Sequence, residues 1–293
     1  MAAPISLVSL ADAELWLGVT SDNGGPVDAA TTRLARAVST AIYGFCDRQV
    51  IAAQKVSEIR DGTGTPRMIL HEWPVSSVES LVIGNQVIPP GVDPAANANY
   101  FSPGFLFAPR LSVPPGQPCV LSLVGYNFQK GVLNTSISYT AGYLISNEPQ
   151  TVKPGTPPFA VVDQPAGSWA TDMGVVYAAT GVPLTLTSGT LAQGEYTLGS
   201  QGQYLFATAD VGAAVLISYG YVPEVMAQAC LEGIQTLSAL QTRDPAVKSE
   251  KYGDVAWTYN VLGVVGKIAP GAMIITANMT SLLQPYRSLT MAA

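Results

Sequence analysis

This chain of 293 residues is short of charge. Lys and Arg number 14 and Asp and Glu 20, together 12% of the residues, against roughly 25% in an ordinary soluble domain. It has one histidine, His71, and three cysteines, Cys46, Cys119 and Cys230. A single histidine excludes the usual multi-histidine metal centres. Three cysteines far apart, odd in number and without a CxxC pair, argue against a zinc site and a disulfide framework. Cys46 and Cys230 lie in apolar helical patterns and read as buried free thiols, which fits a reducing cytoplasm. There is no Lys/Arg run of the kind that makes a nucleic-acid-gripping patch. No stretch of 18 apolar residues is present, so no membrane span is expected. Residues 1–5 lack the basic and apolar regions of a signal peptide.

The motifs of catalysis are also missing. No GK[ST] follows Gly62 and Gly64, and no GxSxG elbow occurs. His71 therefore reads as a structural or surface residue rather than a member of a triad. The acids are sparse and scattered, which does not suggest a glycosidase pair. The expectation is a protein with no catalytic residue, no cofactor and no metal.

What the chain does have is 48% apolar residues and a mean hydropathy of +0.27. Low charge with positive hydropathy predicts surface covered by neighbours, as in an assembled particle. Composition alone leaves a secreted β-rich protein open as the alternative. The net charge is −6. An anionic surface can face DNA without holding it, which suits a conduit better than a reader.

Local patterns divide the chain. Ser9-Leu10-Ala11-Asp12 reads as a capping box opening a short helix, with Leu10, Ala13 and Leu17 on one face and Gly18 as its stop. After the turn residues 21–26, Asp28 is placed to cap a second helix that runs to about Arg48, with Leu34, Val38, Ile42 and Phe45 as its stripe. From Ile51 the period becomes two. Strands are expected around Val56–Arg60, Met68–Leu70, Val78–Ile83, Val120–Val124 and Thr135–Tyr139, with a turn at 61–64 and a hairpin turn at Gly84-Asn85. Residues 89–118 read as an irregular loop holding short strands. Its aromatics Tyr100, Phe101, Phe105 and Phe107 read as local core, with a sugar or base site as the alternative.

Residues 148–166 hold five prolines and read as a linker or extended arm. Residues 175–221 read as a small all-β module of short strands and glycine turns. A helix then opens at Pro223-Glu224, with Met226, Cys230, Ile234, Leu237 and Leu240 as its stripe. A polar segment follows over 243–254, and a weak helical stretch surrounds Leu282-Leu283. Ile137-Ser-Tyr139-Thr-Ala-Gly-Tyr143 and Ile217-Ser-Tyr219-Gly-Tyr221 echo one another as strand exits. The echo suggests that about 146–221 is inserted at a strand-to-helix junction.

The expected fold class is α+β: a small helical core of two N-terminal helices and one long helix in the C-terminal half, with a β-rich extension and an inserted all-β module. The expected division is 1–145, 146–221 and 222–293.

The order of these marks resembles the head–tail connector (adaptor) family of long-tailed bacteriophages. The residues that carry the resemblance are Leu10-Ala11-Asp12 with Leu15 and Leu17, then Ala37, Ala41, Ile42 and Asp47-Arg48. Leu70, Trp73-Pro74-Val75 and Val78 follow, then Tyr139, Ala141-Gly142-Tyr143 and finally Leu282-Leu283-Gln284-Pro285-Tyr286-Arg287. They span 1–145 and 222–293.

The resemblance implies a virion neck protein assembled in the host cytoplasm, joining capsid to tail as a ring under the twelve-fold portal. Twelve copies would carry about −70 charges, and genomic DNA would slide past without sequence recognition. A portal-docking C-terminal arm is implied, with Leu282, Leu283, Pro285, Tyr286 and Arg287 as candidate anchors. The implied partners are copies of the chain itself, the portal, and a stopper or tail protein. The 146–221 module departs from minimal members and is expected to decorate the ring and touch a collar or fibre. The competing readings are another neck or baseplate protein, such as a stopper or tail-completion subunit, and a carbohydrate-binding adhesion protein.

Overall fold

A computed structural model describes residues 5–91, 102–107, 114–242, 249–252, 255–258 and 275–288, with side chains outside 240–258. The fold is α+β, and the described chain divides into a helical unit and a β unit, Arg48–Pro223.

The helical unit begins with α1 (Leu10–Leu17). As its sequence predicts, the Ser9 hydroxyl accepts the Asp12 amide, and Gly18, at φ 67°, closes the helix with its N–H on the Glu14 and Leu15 carbonyls. Helix α2 (Pro26–Cys46) starts two residues before the expected Asp28 cap, with proline in its first turn. Asp28 thus lies inside the helix. Its carboxylate accepts from Ser21 Oγ at 3.0 Å and from the Asp22 and Gly24 amides at 3.0 and 2.7 Å. Asp22 returns the favour to the Val27 and Asp28 amides, so loop and first turn satisfy each other's orphan donors.

Leu34, Val38 and Ile42 are buried, as the stripe predicts, but Cys46 rather than Phe45 completes it. In α3 (Glu224–Thr242), Met226, Cys230 and Ile234 are fully buried and Leu237 is half-buried; the Leu240 side chain lies outside the described residues. Helix α4 (Ala277–Leu283) is capped by Thr276 and runs into a 3-10 turn, Gln284–Tyr286.

Strands β1 (Gln54–Gly62), β2 (Arg67–Ile69), β3 (Val75–Ile83), β4 (Gln86–Ile88), β5 (Gly104–Phe107), β6 (Val120–Val124) and β7 (Gly131–Ala141) make two antiparallel sheets, ordered β1-β7-β3-β4 and β2-β6-β5. The expected Gly84-Asn85 turn joins β3 to β4. The turn expected at 61–64 starts later, because β1 continues to Gly62 through a register shift opposite Gly131. The core between these sheets holds Leu70, Leu81, Leu121, Phe128, Ile137 and Tyr139.

The prediction of a linker over 148–166 is corrected. β8 (Leu144–Thr151) and β9 (Phe159–Val161) are strands within it. Pro149 is accommodated because β8 is the edge of the sheet β10-β14-β8, where a missing N–H costs no ladder bond. The remaining strands are β10 (Gly167–Tyr177), β11 (Thr185–Leu186), β12 (Glu195–Leu198), β13 (Gln203–Phe206) and β14 (Ala214–Pro223), with a second sheet ordered β11-β12-β13-β9. A hairpin of β15 (Ser249–Tyr252) and β16 (Val255–Thr258) lies within the stretch read as a polar segment and just beyond it. Residues 243–248, 253 and 254 of that stretch lie outside the described residues.

The two echoed strand exits meet. Ile137 and Tyr139 on β7 and Ile217 and Tyr219 on β14 are all fully buried. The Tyr143 carbonyl accepts from both the Ala53 and Tyr221 amides, each at 3.1 Å. The Tyr143 and Tyr221 rings lie 5.8 Å apart. Gly142, at φ 111°, makes this corner possible: a Cβ there would come within 2.6 Å of the Ala52 carbonyl.

Beside the corner, the buried Arg48 guanidinium lies over the Trp73 ring at 4.3 Å and the Tyr143 ring at 5.5 Å. It donates to the Trp73 carbonyl and sits 4.0 Å from Glu72. Glu72 in turn accepts the Gln49 and Val50 amides.

Two outcomes follow for stability, each read by chemical denaturation. Arg48→Ala leaves Glu72 buried without its cation and removes both ring contacts, a loss of about 3–5 kcal/mol. Gly233→Ala on α3 would put a methyl 2.6 Å from Val38 Cγ1 and 3.0 Å from Met279 Cε. The overpacking, about 1–3 kcal/mol, outweighs the gain in helix propensity, about 1 kcal/mol, so the variant unfolds at lower denaturant.

Candidate functional site

The residues expected to anchor a docking arm lie on α4 and the turn after it, and they pack within the helical unit. Leu283 is 0% and Tyr286 5% exposed; Leu282 is half-buried. Asn278 Nδ2 donates to Glu232 of α3 at 2.6 Å, and the Ser288 amide donates to the Cys46 carbonyl at the end of α2 at 2.7 Å. Leu283 and Tyr286 thus complete the protein's own core in this structure. Pro285 and Arg287 are exposed, and the Arg287 guanidinium stands 5.7 Å from the Phe45 ring.

The other candidates are dispersed. Phe105 is core and Phe107 packs against it; Tyr100 and Phe101 lie outside the described residues. His71 Nδ1 is 2.9 Å from Glu72 Oε1, in the corner that holds Arg48. The three cysteines are buried free thiols, and burial pushes the Cys230 thiol up to about 12. Among the described residues no group of three or more His, Cys, Asp or Glu side chains converges to hold a metal.

The surface that sequence reading missed is on α1. The helix buries Glu14, 7% exposed, and turns Leu15 and Trp16 outward, 83% and 42% exposed. Helical spacing carried the signal. Asp12, fixed outside by its capping bond, shares its face with the residues three and four positions on. The stripe Leu10, Ala13, Leu17 was the more obvious pattern, yet only Ala13 of the three is fully covered.

Glu14 Oε1 is buried without a hydrogen-bond partner. Burial, a hydrogen bond to Asp28, and the charges of Asp28 and Asp22 hold its carboxyl above the ordinary value of 4.5. The backbone amides of Gly24 and Asp22 hold Asp28 well below its own. The opposed directions make Glu14 the readier of the two to hold a proton.

On the other side of α1, Ile5, Val8 and Leu10 border a groove of about 350 Å³ against Thr32, Arg36 and Thr40 of α2. Its floor includes Ser39, whose hydroxyl takes the Leu7 amide and donates to the Ala35 carbonyl.

No family model and no curated protein matches the chain. Among solved structures it is similar to a chain in "Neck of empty GTA particle computed with C6 symmetry", at 10% identity and a TM-score of 0.31, covering 99% of this chain and 93% of that one. A TM-score that low does not establish a shared fold.

The Glu14 proton gives a signed pH effect. A carboxyl whose folded pKa is raised adds stability at acid pH, and that contribution is lost as pH rises through the folded value. Glu14→Gln keeps the hydrogen-bonding shape without the charge. The difference between its melting temperature and the parent's should be near zero well below pH 4.5, grow as pH rises from there, and level off once the folded carboxyl has ionised. A difference independent of pH would sink the assignment.

Proposed function

We propose that the protein is a structural subunit of a tailed-phage neck, an adaptor that forms a ring beneath the portal, joins capsid to tail and continues the DNA channel without catalysis. One observation carries the reading. The marks of the resemblance are scattered in sequence, yet three of them meet at one buried corner. Arg48 of Asp47-Arg48 stacks on Trp73 of Trp73-Pro74-Val75 and on Tyr143 of Ala141-Gly142-Tyr143. Gly142 N–H donates to the Pro74 carbonyl at 2.8 Å. A fourth mark, Leu283 and Tyr286, completes the helical core. Side chains placed for chemistry would converge on a cleft; these converge on the interior and build the fold.

Low charge and the outward Leu15 and Trp16 agree with a subunit covered by neighbours. With Leu283 and Tyr286 inside, docking at the C-terminus falls to Pro285 and Arg287, with Tyr286 joining if the segment lifts away. In this reading the 146–221 module, three of whose acids accept from tyrosine hydroxyls (Glu148 from Tyr219, Asp172 from Tyr196 and Tyr204, Asp210 from Tyr177), decorates the ring's outside and faces a collar, fibre or tail protein. The virion is the location this reading assigns. Among the described residues no helix is long and apolar enough to cross a membrane.

The test is electron microscopy of the purified chain mixed with the portal ring of its own phage. A twelve-fold layer added at the tail-facing end is expected. A bare portal at saturating protein would move the stopper or adhesion reading to the front.

A further inference from the structure

The helical unit carries a knob and a socket that match. The knob is Leu15 and Trp16 on α1, with the exposed Asp12 one turn before them. The socket is the groove whose walls are Ile5, Val8, Leu10, Thr32, Arg36 and Thr40. We propose that the occupant of the socket is the α1 knob of a second copy of this chain. The proposal rests on the adaptor reading only in that both call for contact between copies.

Three observations point to that occupant. The first is position. Leu10 on the groove and Leu15 on the knob are five residues apart, about 140° around the helix. Socket and knob therefore look in different directions, and one copy can give with one and receive with the other. Such a contact is heterologous, so it propagates from copy to copy and closes where the rotation fits.

The second is charge. Asp12 lies beside the knob. Arg36 stands at the socket, exposed, with no ion pair among the described residues. Docking the knob brings the carboxylate to the guanidinium at the rim of an apolar contact. There it sets register and discriminates against wrong partners more than it adds affinity.

The third is composition. The socket mixes apolar Ile5, Val8 and Leu10 with the hydroxyls of Ser9, Thr32 and Thr40. Leucine and tryptophan supply the apolar filling, and the indole N–H is left facing the threonine hydroxyls. Tryptophan and arginine are the residue types on which interface affinity most often concentrates.

Sedimentation velocity of the full chain over a concentration series tests this. The parent chain is expected to self-associate. Trp16→Ala and Arg36→Glu should each weaken association about tenfold or more, with melting curves confirming the fold. Asp12→Lys should weaken it too, and should recover affinity when combined with Arg36→Glu. A parent chain that stays monomeric at its highest soluble concentration overturns the proposal. So does one that associates while Trp16→Ala and Arg36→Glu leave the constant unchanged. Neither outcome touches the adaptor reading, which the portal mixture decides. Conversely, a bare portal alongside knob-sensitive self-association would retire the adaptor and keep this interface.

Discussion

The β unit depends on one carbonyl group. Tyr143 C=O accepts from Ala53 at the entry of the first sheet and from Tyr221 at the exit of the last. A single oxygen with two lone pairs thus ties three stretches that are distant in sequence. The geometry needs a residue in front of it that can turn at positive φ with backbone pressed against Ala52. Only glycine meets both demands, and Gly142 does. Arg48 then seals the flat side of the corner by lying across Trp73 and Tyr143. The guanidinium is buried, but it is not left to Coulomb attraction alone. Two ring faces and a backbone carbonyl share its charge, which is how a cation survives away from water.

Three acids in and beside the last two sheets follow a different rule. Glu148, Asp172 and Asp210 each accept from tyrosines as well as backbone amides: Tyr219 at 2.7 Å, Tyr196 at 2.6 Å and Tyr204 at 3.1 Å, and Tyr177 at 2.6 Å. A phenol donates without cancelling charge, so the region stays anionic while its carboxylates stay fixed. Burial, with the adjacent carboxylate, pushes the Tyr177 phenol up to about 12, which keeps that donor protonated across the ordinary pH range. Hydrogen bonds of this kind are far less sensitive to ionic strength than exposed ion pairs. The chain's scarcity of lysine and arginine then stops being a deficit: few cations are needed where phenols do the holding.

The sequence was readable where one residue type does a job that no other can. Ser9 and Gly18 marked both ends of α1, Gly84-Asn85 marked a hairpin, and the aliphatic period marked α2 and α3. It was misleading where tolerance depends on position in a sheet. The prolines at 149, 154, 157, 158 and 165 read as a linker because nothing in the local string says that Pro149 sits on an edge strand. Asp28 read as a cap, but Pro26 can start the helix earlier. On α1 the stripe Leu10, Ala13 and Leu17 does lie on the covered face; what its spacing could not show is that Glu14 joins it beside Asp28, a tertiary fact. The C-terminal Leu-Leu-x-Pro-Tyr-Arg was legible as a mark, but not as a half-buried one.

Cys46, Cys119 and Cys230 are each sealed in the interior, and at physiological pH Cys230 has almost no thiolate to offer. Thiolate is the species that attacks disulfides and that oxidants find first. In the folded chain all three thiols are therefore shielded from disulfide exchange and from oxidants. Burial of this kind is a form of durability that needs no crosslink.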